Sequence, residues 1–464
     1  MPLQFDLADD MTWPNRIAFF LMIFVIVLTT VLYGTVHQPV LALFYVAVAL
    51  MVVLWAADAF RKGTIELSSS KLQLPFYAAA AYGLVQAVPF GSIGELAGLS
   101  GIPRTISFDP YATQMSALHY LALGLLFSVS LVLVNSAGRI RRLVIVIAIF
   151  GFVYAFFAIL QAVLSPGKIY GIYEANSAQP FGSFVNRNNF AAYMEMTIAV
   201  PLGMLFSGSV ARDKRLLYIT GIALMGVALL LSGSRGGLIA LLAEVILLVV
   251  LTTGAKSRTG LFIRSGLAAL LIIGIVIGSI FVGGESTLTR IAETTASGDV
   301  TTDRSHIWSV TTQVIVNTMP LGAGLGALGT AYTPFDTYSG LARVEQAHKD
   351  YLQVAADAGL VGIVIGLFFL LWLFRQGMSS AAVSNSYRRG VAVGAIAGCF
   401  AVLVHSIFDF VLHITAVSVM FITLMTLLVA CRQSYDDDIA DPVDPKRGNY
   451  HPPANLTPIG NYKA

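Results

Sequence analysis

Residues 143–164 read LVIVIAIFGFVYAFFAILQAVL, an apolar run without one charged side chain. At about 1.5 Å per helical residue, this run is long enough to cross the roughly 30 Å hydrocarbon core of a bilayer. A segment surrounded by lipid must satisfy its own backbone hydrogen bonds, so we predict that the run forms a transmembrane helix.

Eleven further apolar runs extend this prediction to an all-α membrane protein with about twelve transmembrane helices. The chain of 464 residues is 56% hydrophobic and only 11% charged, whereas soluble domains carry about 25% charge. This composition excludes a single soluble globule and a disordered chain. The predicted spans are 17–33, 39–57, 72–90, 112–134, 143–164, 189–207, 216–232, 236–253, 265–283, 358–374, 391–408 and 414–431.

The distribution of positive charge predicts the orientation of these spans. With the N-terminus in the cytoplasm, 20 of the 28 Lys and Arg residues flank cytoplasmic segments, as the positive-inside rule requires. Both termini are therefore predicted to be cytoplasmic. The basic residues left on the outer side are Arg104, Lys168, Arg187, Arg235, Arg290, Arg304, Arg343 and Lys349.

The domain organisation follows from the same map. Residues 1–433 form a polytopic membrane domain, and 284–357 form a large outer loop between spans nine and ten. The tail 434–464 is rich in Asp, Pro and Asn and is predicted to be disordered and cytoplasmic. The net charge of +3 and the scattered basic residues give no reason to expect a nucleic-acid partner. The only two cysteines, Cys399 and Cys431, lie in apolar runs and offer no disulfide framework or CxxC site.

The outer loop contains its own helical pattern. Thr301 and Thr302 can cap a helix that begins near Asp303, and apolar residues then recur at helical spacing until Pro320. We predict an amphipathic helix lying against the outer membrane surface. The glycine-rich stretch 322–329 follows no strand, so we interpret it as a flexible connection rather than a nucleotide-binding loop.

Three outer arginines are candidates for an anion site. Arg235 lies in a glycine-rich hairpin, Arg187 precedes span six, and Arg304 opens the loop helix. Each alone could be an interfacial residue that extends its charge to water. Together, on the side that usually avoids positive charge, they favour binding of phosphate, because guanidinium stays protonated and binds oxyanions bidentately.

His348 is the candidate general base. It stands just before span ten, and imidazole can accept a proton from a hydroxyl nucleophile near neutral pH. If this stretch is helical, Glu345 lies on the same face and can orient the ring. The alternative is an ordinary surface histidine in a polar loop.

Other ionisable residues leave alternatives open. His405, Asp409 and His413 follow one another at four-residue spacing, which suits either a metal-binding helix face or a structural Asp–His pair at a helix end. Glu195 and Glu244 lie inside predicted spans, where acids serve either proton coupling or a hydrogen-bonded structural role.

Four motifs in order along the chain resemble the bacterial O-antigen ligase and O-antigen polymerase superfamily. They are FVNRNNF at 184–190, SGSRGG at 232–237, RSHIW at 304–308 followed by PLGAG at 320–324, and AHKDYLQ at 347–353. In the family's ligase motif an amide or serine follows the histidine, and nine further residues then separate it from a Gly-x-x-Gly or similar ending. His348 with Gly359 and Gly362 keeps that spacing, but Lys349 replaces the usual residue.

The resemblance implies a polytopic glycosyltransferase of the bacterial inner membrane with its active site facing the periplasm. Its donor would be an undecaprenyl-pyrophosphate-linked glycan, its acceptor a glycan or lipid A-core, and its reaction metal-independent, inverting and without cofactor. By this resemblance His348 is the catalytic base, Arg235, Arg304 and Arg187 bind pyrophosphate, and Glu345, Asp350 and Tyr351 support them. Membrane lipids and other polysaccharide assembly proteins are the expected partners. The alternatives are a protein O-oligosaccharyltransferase and, from a different class, a lipid-linked oligosaccharide transporter or flippase.

Overall fold

The structure, a computed structural model, consists almost entirely of helices. It describes residues 12–92, 101, 104–175, 179–252, 304–337 and 343–433, with 265, 266, 268, 269, 272, 273 and 277. A short hairpin pairs β1 (Lys168–Ile169) with β2 (Tyr173–Glu174). The helices in the described residues are α1 (Trp13–Val31), α2 (Gln38–Lys62), α3 (Leu74–Gln86), α4 (Pro110–Leu133), α5 (Ala137–Leu164), α6 (Arg187–Phe206), α7 (Arg215–Leu231), α8 (Arg235–Thr252), α9 (Arg304–Thr318), α10 (Leu328–Tyr332), α11 (Asp350–Ala381), α12 (Ser386–His405) and α13 (Thr415–Arg432).

Ten of these helical segments are long and apolar enough to cross a membrane. They correspond to ten of the twelve predicted spans, and the all-α membrane class is confirmed. The third predicted span contains α3, which has 13 residues and is shorter than the ten helices counted as spans. Most of the ninth, 265–283, lies outside the described residues, as does the predicted tail 434–464.

Side-chain caps fix where several helices begin. The backbone N–H of Ala112 donates to Asp109 at 3.0 Å, and that of Arg388 donates to Asn385 at 3.0 Å. Asn186 accepts in the same way from the N–H of Asn188 at 2.9 Å, which starts α6 at Arg187. Such caps satisfy N–H groups that have no partner within the helix.

The centre of the bundle is formed by α6, α12 and α13. Windows of 18 residues in α6 and α13 are each 94% buried. Glycines bring α6 and α12 into direct contact: a Cβ on Gly203 would lie only 2.3 Å from the Cα of Gly394. Small residues at such crossings let helix backbones pack closely where lipid supplies no hydrophobic driving force. The candidate site lies at one end of this buried centre.

The two ends of the bundle differ in their polar contacts. At one end, which we call the Arg139 end, Asn15 Nδ2 donates to Asp58 at 2.6 Å and Arg139 donates to the side chain of Asn15. At the other, the Asp409 end, the loop 406–414 meets the start of α6 and the segment before α11. The described segments that the charge pattern assigns to the outer side share the Asp409 end, and the membrane orientation itself stays a prediction.

The loop helix is present as α9. It begins at Arg304 and ends at Thr318, close to the predicted limits, although the predicted caps Thr301 and Thr302 lie outside the described residues. Val310, Thr311 and Val314 form its buried face. The predicted helix therefore packs one side against the protein.

The glycine-rich stretch after α9 is ordered rather than a flexible connection. The N–H of Ala323 donates to the carbonyl of Ala356 at 2.8 Å, and the N–H of Gly324 donates to the carbonyl of Asp357 at 2.9 Å. These bonds reach α11 where it breaks: Gly359 has φ 56° and ψ −142°, and the N–H of Leu360 donates instead to the carbonyl of Pro320 at 2.9 Å. The glycine-rich stretch thus supplies hydrogen-bond partners for the backbone groups of α11 that the break at Gly359 leaves without helical partners.

Candidate active site

His348 and Asp409 form the centre of the Asp409 end. His348 precedes the first residue of α11 by two positions and has a left-handed backbone with φ 50°, which is uncommon for any residue but glycine. Its Nδ1 lies 3.4 Å from Oδ1 of Asp409, and its ring meets the ring of Phe410 edge-on with centroids 4.8 Å apart. The ring nitrogen of His348 that faces Asp409 is therefore Nδ1.

Asp409 gathers partners from four parts of the chain. Its side chain is 1% exposed. Arg304 Nη2 lies 3.2 Å from Oδ2, Asn188 Nδ2 donates to the same oxygen, and the N–H of Phe410 donates to Oδ1 at 2.9 Å. Burial acts to raise the pKa of Asp409, but the hydrogen bond from His348 and the charge of Arg304 outweigh it and lower that pKa to about 2. The carboxylate is therefore ionised at neutral pH.

Asp350 holds the loop 406–414 against the segment that carries His348. Its N–H donates to the carbonyl of Ser406 at 3.1 Å, and its Oδ2 accepts from the N–H of Leu412 at 3.2 Å. Oδ1 lies 2.7 Å from Nδ1 of His413. Burial acts to lower the pKa of His413, but its bond to Asp350 reverses the direction and raises that pKa. Asp350 thus sets the position of Asp409 opposite His348.

Tyr351 and Lys349 are positioned on either side of Asp350. The hydroxyl of Tyr351 donates to the carbonyl of Leu403 at 2.8 Å and so joins α11 to α12. The ammonium of Lys349, the residue that departs from the family pattern, lies 5.3 Å from the centre of the Trp308 ring. Trp308 in turn donates from Nε1 to the carbonyl of Ala347 at 3.1 Å. These contacts attach the segment before α11 to α9.

The three candidate arginines lie at the Asp409 end. The guanidinium of Arg304 binds Asp409 and the carbonyl of Phe408, which uses two of its five N–H donors. Arg187 is the first residue of α6, next to Asn188, and its N–H donates to the carbonyl of Gln179 at 2.8 Å. Arg235 is the first residue of α8.

The surroundings of α8 place Arg235 near the same loop. A Cβ on the next residue, Gly236, would lie 2.7 Å from the His405 ring. The helices α6, α8 and α11 all begin at this end, so the positive ends of three helix dipoles add to the guanidinium charges.

Glu345 does not contact His348 in the structure. It lies 3.4 Å from Arg343, and both side chains are about two-thirds exposed or more. The expected pairing assumed a helical stretch, but α11 starts only at Asp350. The carboxylate that orients His348 is instead Asp409, 61 residues further along the chain.

His405, Asp409 and His413 do not share one helix face. The helix α12 ends at His405, so the three side chains point to separate partners: His405 to Glu195, Asp409 to His348 and His413 to Asp350. Within the described ranges, no group of three or more His, Cys, Asp or Glu side chains is placed to hold a metal ion. Of the two alternatives that the spacing left open, the structure does not form the metal-binding helix face from these three residues.

The two acids inside spans are buried. Glu195 Oε2 lies 3.1 Å from Nδ1 of His405, which joins α6 to α12 below the candidate site. Glu244 is also fully buried, and neither of its oxygens has a hydrogen-bond partner among the described residues. Glu195 thus has a structural partner, whereas Glu244 has none that the structure shows.

Sequence reasoning did not identify Asp409 as the partner of His348 and Arg304, and it missed two further parts of this site. Asn188 stands in the quoted motif at 184–190 beside Arg187, yet only the structure shows that it binds Asp409. The pairing of Asp350 with His413 joins residues 63 positions apart and has no local signal. In both cases the signal available was only that polar residues cluster in segments assigned to the same side of the membrane.

The fold and site define a polytopic membrane protein with a buried carboxylate that joins a histidine to an arginine at one end of the bundle. Residues 220–367 match the family model described as O-antigen ligase. This region begins in α7 and ends in α11, so it includes Arg235, Arg304 and His348. The match confirms the resemblance to the O-antigen ligase and polymerase superfamily. It supports glycosyl transfer of that general type, from a lipid-linked glycan donor to a glycan acceptor. A comparison with curated proteins found no match.

Proposed function

We propose that the protein transfers an undecaprenyl-pyrophosphate-linked glycan onto a sugar hydroxyl, with inversion and without a metal ion, at the periplasmic face of the bacterial inner membrane. The observation that carries this proposal is the arrangement around Asp409. One buried carboxylate orients His348 and also binds Arg304, so a candidate base and a candidate phosphate ligand are held together.

His348 acts as the general base. Asp409 accepts from the Nδ1–H of the ring, so Nε2 is unprotonated in the neutral tautomer and receives the proton of the acceptor hydroxyl. The hydroxyl oxygen attacks the anomeric carbon as the bond from that carbon to the phosphate oxygen breaks. The leaving lipid pyrophosphate takes the electron pair. A single displacement inverts the anomeric configuration, and the proton on His348 passes to water.

Arg304, Arg235 and Arg187 bind the pyrophosphate of the donor. Arg304 has three N–H donors beyond those that bind Asp409 and Phe408. Fixed positive charge stabilises the negative charge that develops on the leaving group, which is the task a divalent cation performs in other enzymes. The energy for bond formation is already stored in the donor, so no nucleotide or cofactor is required.

Asp350 and Tyr351 act as positioning residues. Asp350 holds the loop that carries Asp409, and Tyr351 holds α11 against α12. Glu345 has no role in this mechanism, since its contact is with Arg343.

One observation favours a second candidate function. Glu244 and Glu195 lie buried within membrane-spanning helices, and intramembrane acids commonly serve ion or proton coupling. A lipid-linked oligosaccharide transporter therefore remains the alternative class, and the experiment separates it from an enzyme.

The test is reconstitution of the purified protein in liposomes with a lipid-linked glycan donor. If the donor alone is converted into longer glycans, the protein is a polymerase. If product forms only after lipid A-core is added, it is a ligase. A product on a serine-bearing pilin-like acceptor identifies a protein O-oligosaccharyltransferase. In each case the new bond should be inverted and insensitive to EDTA. Glycan that crosses the bilayer without a new glycosidic bond would overturn the proposal.

A further inference from the structure

We propose that Lys349 and Trp308 form a subsite for an acceptor sugar that carries a carboxylate. This inference rests on the proposed function and adds a preference for one chemical class of acceptor. The ammonium of Lys349 lies over the Trp308 ring, 5.3 Å from its centre. Both residues are partly exposed, so the pair is accessible to a ligand.

The position of Lys349 is unfavourable for the helix that it precedes. Lys349 is the N-cap of α11, and its side chain makes no capping hydrogen bond. N-cap residues are usually Ser, Thr, Asp or Asn, and a positive charge is disfavoured at the positive end of a helix dipole. The resemblance implies an amide or serine at this position. Helix stability therefore does not explain the lysine, whose charge is available to a ligand.

No carboxylate among the described residues balances this charge. None of the ion pairs between those residues includes Lys349. Asp350, the next residue along the chain, instead has Oδ1 2.7 Å from Nδ1 of His413. Contact with a ring face attracts an ammonium but supplies no oxygen acceptor for its three N–H donors. The ammonium can therefore bind an anionic group of a ligand.

The helix α9 places this pair beside the candidate base. Arg304 and Trp308 are four residues apart on α9, so they lie on the same helix face about 6 Å apart. Arg304 is joined to His348 through the buried carboxylate described above. One turn further along, Trp308 Nε1 donates to the carbonyl of Ala347, the residue before His348, at 3.1 Å. A sugar whose hydroxyl reaches His348 therefore has its ring beside Trp308.

The chemistry of the pair selects a sugar with a carboxylate. A tryptophan ring offers apolar surface to the C–H face of a pyranose, and an ammonium forms charge-assisted hydrogen bonds with a carboxylate. Phosphate is the alternative anion, but the arginines assigned to the donor pyrophosphate provide the planar, bidentate groups that suit phosphate. A neutral sugar would leave the charge of Lys349 without a partner. An uronic acid provides both the apolar face and the carboxylate.

The experiment measures sugar binding to the full chain in phosphatidylcholine nanodiscs by saturation-transfer NMR. The probes are methyl glucuronide and methyl galacturonide, each compared with its neutral parent, methyl glucoside or methyl galactoside. We expect an acidic sugar to bind about fivefold more tightly than its parent. Lys349→Gln should abolish this preference, added salt should reduce it, and Trp308→Leu should weaken binding of acid and parent alike. Lys168→Gln is the matched control, because Lys168 is exposed and paired with Glu174 at 2.7 Å.

Equal affinity for acid and parent in both pairs, a preference that Lys349→Gln leaves unchanged, or affinities that Trp308→Leu leaves unchanged would overturn the inference. Displacement of the acidic sugar by undecaprenyl diphosphate would overturn it too, because Lys349 would then belong to the phosphate site. Glycosyl transfer without any preference for an acidic sugar would remove the subsite and keep the proposed function. A preference that depends on Lys349, in a protein that never forms a glycosidic bond, would support the subsite and remove the proposed function.

Discussion

His348 Nδ1 lies 3.4 Å from Oδ1 of Asp409, although the two residues belong to different loops of the bundle. The contact exists because Asp350 binds both Leu412 and His413 and so pins the loop 406–414 beside the start of α11. The same carboxylate binds Arg304 from α9. A histidine and an arginine are thus linked through one buried carboxylate, on which the proposed roles of both depend.

Asp409→Asn should lower the rate of glycosidic bond formation by about 10²-fold, because the amide neither fixes the tautomer of His348 nor balances Arg304. In the wild type, the pKa of about 2 keeps the Asp409 carboxylate ionised above about pH 4. The dependence of the rate on pH above that value should therefore contain no contribution from Asp409. The matched control is Glu345→Gln, which removes an exposed carboxylate near His348 in sequence. Initial rates in liposomes measure both variants. If Glu345→Gln lowers the rate as much as Asp409→Asn does, the assignment of Asp409 as the partner of His348 is contradicted.

The same carboxylate gives a stability prediction at low pH. Because its pKa in the folded protein, about 2, is below the ordinary 3.8, ionised Asp409 stabilises the fold above pH 4. This contribution, about 2 kcal/mol, should be lost as the pH falls from 4 to 2. Thermal unfolding of the wild type and Asp409→Asn across this range measures it, and parallel curves would count against the depressed pKa.

Arg304→Ala and Arg235→Ala should each weaken binding of undecaprenyl diphosphate by about 10-fold to 100-fold, because each removes charge-assisted hydrogen bonds to phosphate. Arg304→Ala should also lower the rate at saturating donor, since Asp409 loses a partner. Arg343→Ala is the control, because its side chain is 70% exposed and pairs with the exposed carboxylate of Glu345. Titration with labelled undecaprenyl diphosphate measures binding. Unchanged affinity in both variants would remove the arginines from the donor site.

Asp350→Asn should destabilise the protein most at or below pH 6. The pKa of His413 is raised above its ordinary 6.5 by Asp350, so the protonated pair contributes its full stability below that pH and loses it as the pH rises through the raised value. We expect a difference of about 1–2 kcal/mol at pH 6. Thermal unfolding between pH 6 and 9 should show the two proteins converge as the pH rises. A difference that grows with pH would contradict the pairing.

Gly359→Ala should destabilise the fold by about 2–4 kcal/mol. The glycine has φ 56° and a Cβ would lie 2.2 Å from the carbonyl oxygen of Pro320. Gly366→Ala on the same helix is the control, because a Cβ there meets nothing within 4 Å and alanine favours a helix by up to about 1 kcal/mol. Thermal unfolding of the two variants compares them, and equal stability would mean that the break in α11 does not depend on glycine.

Hydropathy predicted ten of the described spans because lipid imposes a length and an apolar surface on any crossing helix. The charge pattern also predicted which loops lie at the same end of the helix bundle. The loops assigned to the outer side include Arg187, Arg235, Arg304 and His348. Hydropathy gave the length of α3 less well, because the apolar residues at 72–90 extend beyond a helix of 13 residues.

The pairings inside the site could not be predicted in the same way. Helical spacing was used to relate Glu345 to His348 and to relate His405, Asp409 and His413. However, α11 begins only at Asp350 and α12 ends at His405. Beyond those residues the contacts depend on how separate loops meet. The glycine-rich stretch after α9 was predicted to be flexible because no partner for it is visible in the sequence. Its hydrogen bonds go to the break in α11, which sequence spacing does not reveal.

The most direct measurement of the central claim is glycosidic product formed by His348→Ala at saturating donor, compared with the wild type in the same liposomes. If His348 is the base that Asp409 orients, the variant should lose about 10²- to 10⁴-fold in rate while it binds undecaprenyl diphosphate as tightly as the wild type. Product formed within a few-fold of the wild-type rate would contradict the claim.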